Sequence, residues 1–283
     1  MPMHEQVERL HRDLGRLGNE ISRLRIQMQR LRQRTDQLAA LRETEPVDTR
    51  RLAQLESVLD VSAVSEHLQA VVARAPLVVD PVAHLTLDAL FPTTVYAVLV
   101  EMIPPAAFFE GAADQTQELR VPQQAGPLPA IVAWTFVTEL VLRALGPALV
   151  ARFESVLAGF ARATFPSLPP FHEWGVGIAL TQGRLVRHPP GAAAVQPVER
   201  PWDFLTGVLG LGQPHESGDD GVNTAVVCLG PAQAHQVLSK GPSERPQTEW
   251  YTYEFGIGPT RDARRTLTAK MSQHDAAIWS TRG

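Results

Sequence analysis

The side chains of this chain that could do chemistry are scattered rather than gathered in one motif. His172 stands beside Glu173, His188 precedes Pro189-Pro190, His215-Glu216 is followed by Asp219-Asp220, and His235 lies in the phrase PAQAHQV. Imidazole nitrogen and carboxylate oxygen are the donors used for transition metals and for proton transfer, so these are the candidates for either role. The run 212–222, GQPHESGDDGV, has the glycine content of a solvated loop, which is the plain reading of His215, Glu216, Asp219 and Asp220. His188 reads as an exposed histidine at a strand end, and His172, after Pro-Pro-Phe, as a surface or packing residue. Cys228, in the apolar run AVVCL, reads as a buried small hydrophobe. Gly175-Val176-Gly177 reads as a strand bend. The chain has no G-x-S-x-G, no P-loop, no G-x-G-x-x-G in a βαβ setting and no cysteine-based metal spacing.

The elements that must position these residues change character along the chain. Residues 3–41 carry apolar side chains at Met3, Val7, Leu10, Leu14, Leu17, Ile21, Leu24, Met28, Leu31 and Leu38, with Thr35 the one polar interruption. This alternation of fours and threes predicts a coiled-coil helix over 1–44, which needs a second helix to bury its stripe. Gly15 and Gly18 weaken it locally. Residues 45–84 read as a helical linker: one surface helix over Thr49–Arg74, then a short strand at Leu77-Val78-Val79. The phrase 87–111, LDALFPTTVYAVLVEMIPPAAFFEG, predicts a helix capped by Asp88 and stopped by Pro104-Pro105. Trp134–Thr164 predicts one or two long helices broken near Gly146-Pro147. Beyond Pro170, short apolar runs alternate with Gly and Pro (GVGIALTQG, GRLVRH, DFLTGVLGLG, NTAVVCLG, EWYTYEFGIG), the spacing of a sandwich or barrel. Helices followed by strands predict an α+β or mainly β domain over 85–260, with 261–283 a C-terminal tail or helix.

The runs Arg187–Leu211 and Asn223–Gly258 together resemble the core of the 2-oxoglutarate/Fe(II) oxygenases, and the phrase 87–111 resembles the helix that precedes the barrel in many bacterial members. The resemblance covers about residues 85–260. It implies a double-stranded β-helix, or jelly-roll barrel, with flanking helices. It also implies an iron site of two histidines and one carboxylate, the first two ligands spaced His-x-Asp. In that frame Pro197-Val198-Glu199-Arg200-Pro201 puts Val198 at the first histidine and Arg200 at the carboxylate, while His235 matches the distal histidine. The arginine that would bind the far carboxylate of 2-oxoglutarate is replaced by Glu249 or Trp250; Arg245 and Arg261 lie nearby but off the motif. Valine has no donor atom, and arginine is a permanent cation that opposes metal entry. The resemblance therefore implies a degenerate, pseudoenzyme-like member in which His235 is the remnant of a metal site and no cofactor is held.

Composition supports a protein partner rather than a polymer or lipid one. The formal net charge is −4, from 26 basic and 30 acidic residues over 283, which gives no global field for nucleic acid or an anionic membrane. The apolar run Val95–Phe109 is broken by Glu101 and Pro104-Pro105, so no membrane span is expected. The polar start, MPMHEQVERLHRD, does not resemble a signal peptide, and a single cysteine fits a reduced, cytoplasmic setting. Glu20 and Arg25 fall at positions that pair across a parallel coiled coil, whereas the later flank is basic (Arg25, Arg32, Arg34) and suits an acidic partner. The expected function is a non-catalytic oxygenase-like protein acting as a structural or regulatory partner through residues 3–41, as a homodimer or beside an active homologue. The alternative is an active Fe(II)/2-oxoglutarate oxygenase with a rearranged metal site, in specialised metabolism. A third reading is a binding module whose barrel pocket is lined by Trp202, Phe204, Trp250 and Tyr253, although these aromatics also suit a core.

Overall fold

The computed structural model describes residues 49–80, 82–111, 115–122, 124, 126–164, 166, 178–190, 203–212, 223–230 and 249–270. The chain divides into two units, 1–48 and 49–283. The coiled-coil expectation over 3–41 falls on the first and lies outside the described residues.

Two short helices, α1 (Thr49–Val58) and α2 (Val61–Arg74), replace the single helix expected there. Asp60 makes the break: its carboxylate accepts from the Ser62 and Ala63 amides at 2.8 and 3.2 Å and caps α2. Val64, Leu68, Val71 and Val72 of α2 are core residues, so this is no surface helix. The expected strand at Leu77–Val79 reduces to one bridge, Val78 to His84. It leads into β1 (His84–Leu87). The next helix, α3 (Thr93–Glu101), begins after Pro92, not at Asp88. Asp88 instead accepts from the Thr224 hydroxyl at 3.2 Å. Strand β2 (Gln117–Arg120) follows.

Helix α4 (Leu128–Leu140) runs through a π-helical turn (Val141–Leu145) into α5 (Gly146–Thr164) without the break expected at Gly146-Pro147. The Gly146 amide bonds Val141 O, five residues back. The widened turn shifts the carbonyl ladder just where Pro147 lacks a donor and needs room for its ring. The span Leu128–Ala163, rather than the run Val95–Phe109, is long and apolar enough to cross a membrane; half of its most apolar window is buried inside the protein. Trp134, Phe136, Val137, Leu140, Leu149 and Phe153 are core residues, which is the pattern of a central helix in a packed domain.

The remaining strands are β3 (Ile178–His188), β4 (Leu205–Leu211), β5 (Ala225–Leu229) and β6 (Trp250–Pro259), and α6 (Arg261–Lys270) follows. The two runs expected on either side of Gly183 form one strand, β3, with a bulge between Leu180 and Gln182. All pairings are antiparallel, and the six strands form one sheet in the order β1-β5-β4-β6-β3-β2. Strand parity sorts the residues by face. Leu85, Leu87, Leu185, Leu205, Leu209, Val227, Tyr253, Phe255 and Ile257 join the helices in the main core. Thr206, Val208, Val226, Cys228, Thr252 and Glu254 alternate with them on the second face and are also buried. A sheet buried on both faces belongs between two layers.

The topology dictates how the chain returns along this sheet. Strands β3 and β4 both run antiparallel to β6, with His188 opposite Trp250 and Leu205 opposite Ile257. The connection between β3 and β4 must therefore travel from one end of the sheet to the other, roughly 23 Å at the strand rise. Leu229 lies opposite Leu205, so the connection from β5 to β6 makes the same journey in reverse. Val198 and Arg200 fall in the first connection and His235 in the second; all three lie outside the described residues.

Candidate functional site

The second face of the sheet is where the described polar groups gather. Along β3 and β6 the pairs Arg184–Glu254, Val186–Thr252 and His188–Trp250 stand side by side. His188 was expected to be exposed; it is 7% exposed. Its ring stacks on the Trp250 indole with centroids 3.9 Å apart and planes 13° apart. Its Nε2 lies 3.1 Å from the Thr252 hydroxyl oxygen. The Pro-Pro that follows suggested a solvent end, but the register lays a large aromatic over the imidazole, and that contact buries it. Trp250 itself remains 38% exposed.

Next along the row, the Arg184 guanidinium donates from Nε and Nη2 to one oxygen of Glu254 at 2.8 and 2.6 Å, and from Nη1 to Glu118 at 2.6 Å. Burial alone would favour losing its proton, but the two carboxylates outweigh it and hold Arg184 above the usual guanidinium range. Beyond the pair lies Gly256, where an added Cβ would come 2.5 Å from the Thr181 hydroxyl and 2.9 Å from the Asp203 carboxyl carbon. Only glycine leaves room for the hydrogen bond between Thr181 and Asp203. Asp203 is fully buried two residues before the start of β4. On β4 and β5 the face turns apolar around Val208, Val226 and Cys228. Burial pushes the Cys228 thiol up to about 12, so it is no thiolate at neutral pH, in keeping with the packing role expected for it.

Glu249 belongs to the other face. It accepts from Arg187 and from the Tyr251 hydroxyl, and Arg187 also donates to Gln117 at 2.5 Å. The hydrogen bond from Arg187 holds the Glu249 carboxyl below the usual range. Burial first, and then the hydrogen bond to Glu249 and its charge, push Tyr251 up to about 12. Of the two residues the sequence offered at the anion-binding position, strand parity thus puts Trp250 on the second face and commits Glu249 to Arg187. Phe204 and Tyr253, suggested as pocket-lining aromatics, are core residues; Trp202 lies outside the described residues. The Tyr253 hydroxyl is buried without a hydrogen-bond partner among the described residues, and burial raises its pKa.

An iron site of the type the resemblance implies needs two imidazoles and a carboxylate on one face. Among the described residues no three His, Cys, Asp or Glu side chains come together in that way. The second-face donors are engaged elsewhere: His188 with Thr252, Glu254 with Arg184, Asp203 with Thr181. The described residues therefore do not fit such a metal. His172, Glu173, His215, Glu216, Asp219 and Asp220 lie outside them. The Arg184–Glu254 pair and the His188–Trp250 stack were missed in the sequence. Their only signal was cross-strand: two alternating runs, RLVRH and WYTYE, whose partners appear only once the register is known.

No protein-family profile matches this chain, and no curated protein matches it. Among solved structures it is similar to a Pseudomonas putida prolyl-4-hydroxylase, at 15% identity over 68% of this chain and 98% of that one, TM-score 0.38. It is also similar to a prolyl 4-hydroxylase from Phytophthora capsici, at 12% identity over 78% and 73%, TM-score 0.40. A third is a Trichoplax adhaerens prolyl hydroxylase in complex with a hypoxia inducible factor oxygen degradation domain peptide fragment, at 9% identity over 81% and 99%, TM-score 0.40. Likeness at this level assigns no activity to the chain.

Proposed function

We propose that this chain is a non-catalytic oxygenase-like protein that acts as a structural or regulatory partner through its N-terminal coiled coil. The observation that carries the reading is the frame Pro197–Pro201, with Val198 and Arg200 in the places of two metal ligands and His235 alone in the third. Iron(II) held by one imidazole lacks the ligand number and geometry on which these sites depend. A jelly-roll barrel is the architecture we assign. The doubly buried sheet and its two end-to-end connections support it, since a barrel of this kind alternates consecutive strands between two layers. The short 213–222 connection between β4 and β5 leaves little chain for walls around a substrate.

Anaerobic titration of the purified, metal-stripped protein with iron(II), with and without 2-oxoglutarate, tests this. No stoichiometric binding is expected. One equivalent bound, tightened by 2-oxoglutarate and lost in His235→Ala, would establish the rearranged-site enzyme instead.

The partner we propose is a second copy in parallel. Leucine stands at every d position from Leu10 to Leu38, and branched Val7 and Ile21 stand at a, a pattern that favours two parallel strands. In that register Glu20 meets Arg25 of the other copy, and no like charges face each other, so the basic flank does not forbid self-pairing. Sedimentation equilibrium should give a dimer that Leu17→Lys with Leu24→Lys converts to a monomer of unchanged domain stability. A monomeric wild type, or a dimer that survives both lysines, would remove the coiled coil from the proposal.

A further inference from the structure

The guanidinium of Arg184, 12% exposed, lies on the second face of the sheet with most of its fork turned to Glu254, whose side chain is 4% exposed. Glu118, on Nη1, is 48% exposed and sits at the sheet edge. A planar guanidinium on a buried face is a natural receptor for a free carboxylate. Here the carboxylate arrives from the neighbouring strand, fixed by the register that sets Arg184 opposite Glu254. Tethering gives it an effective concentration that a free ligand does not reach. At the strand end of the same row, where a second arginine or lysine would help to grip a dicarboxylate, the Trp250–His188 stack stands instead.

Building on the non-catalytic reading above, we infer that Glu254 is an internal carboxylate ligand that fills the anion site of Arg184. The second face is thereby closed to free mono- and dicarboxylates, and removal of Glu254 uncovers a carboxylate-binding site. The disagreement with the implied co-substrate thus lies in what these strands already hold, independent of any metal.

Thermal unfolding of the metal-free, full-length chain tests it, with formate, acetate and 2-oxoglutarate as probes and chloride as the ionic-strength control. The wild-type midpoint should move no further with carboxylates than with chloride. Glu254→Ala leaves the cation buried beside a carboxylate-sized space, and its midpoint should fall by about 10 °C. Formate or acetate should restore a large part of that loss, and chloride should not. Should the alanine variant fail to fold, Glu254→Gln keeps the shape and is expected to be stabilised by formate over chloride. Arg184→Met with Glu254→Met should be silent to formate. Saturable stabilisation of the wild type by formate or 2-oxoglutarate overturns the inference. So does a folded Glu254 variant that answers formate no better than chloride. Iron binding by the wild type would defeat the non-catalytic reading without altering these metal-free results.

Discussion

Replacing Gly207 by alanine should destabilise the protein by about 3 kcal/mol, among the larger effects available to a single methyl group. Gly207 lies mid-strand in β4, opposite Phe255 on β6 and Val227 on β5. The Phe255 ring lies directly over it, so an added Cβ would fall inside the van der Waals envelope of that ring. Phe255 cannot retreat, because it is fully buried and stacked beside Tyr253. Tyr253 in turn packs on Trp134 of the central helix, centroids 5.4 Å apart. The strain therefore passes from sheet to helix layer, as expected of an interior with little free space. Urea unfolding followed by tryptophan fluorescence should show the loss as a lower midpoint at unchanged m-value. Gly207→Ala combined with Phe255→Leu should recover part of it, because the smaller side chain makes room. If the alanine variant is as stable as the wild type, the Phe255 ring does not sit over this strand.

The elements that were legible in the sequence are those whose hydrophobic pattern alone specifies them. The runs LTGVLGL, AVVCL and WYTYEFGIGP are continuous or alternating, bounded by Gly and Pro, and they fold as β4, β5 and β6. β1 and β2 escaped notice. HLTL and QELR are four residues long, with two and three polar side chains respectively, too short for a period to emerge, as befits the two edges of a sheet. The helix start was misplaced because Asp88, a good cap by type, is drawn away by Thr224, and Pro92 fixes the entry to α3 instead. The π-turn before Pro147 has no sequence signature; it is the backbone's answer to a proline placed in a helix that tertiary packing keeps continuous. The charged and aromatic pairs of the second face were invisible for a different reason. Whether Arg184 meets Glu254, or Trp250 meets His188, depends on register, and a slip of one residue would send each to the opposite face. Conversely, the residues that carry the functional reading, Val198, Arg200 and His235, come from the sequence frame alone.

Asn223→Ala should cost about 3–5 kcal/mol, because the side chain pairs with the Phe91 backbone as a neighbouring strand would. Its amide group donates to Phe91 O at 2.7 Å and accepts from the Phe91 amide at 3.0 Å. Its own carbonyl accepts from the Leu90 amide at 2.9 Å. Leu90 and Phe91 are buried, so without Asn223 the Phe91 amide and carbonyl lose their partners away from water. The residue is also at φ +59°, a conformation that costs asparagine less than alanine. Tyr96 makes the matching attachment at the end of β4: its hydroxyl lies 3.2 and 3.1 Å from the Gly210 and Gly212 carbonyls and accepts from the Gly212 amide at 3.0 Å. The end of β4 and the start of β5 are thus fastened separately, the one to Tyr96 within α3 and the other to the residues before that helix. Asn223→Gly separates the contributions, keeping the backbone conformation while deleting both side-chain bonds, and should be about 1 kcal/mol less damaging than alanine. Asn223→Asp should fall with the alanine variant rather than the wild type: it can accept from the Phe91 amide but turns a second oxygen on the Phe91 carbonyl. Chemical denaturation of the three variants gives the order. An aspartate variant as stable as the wild type would mean that the donor half of the clamp contributes nothing.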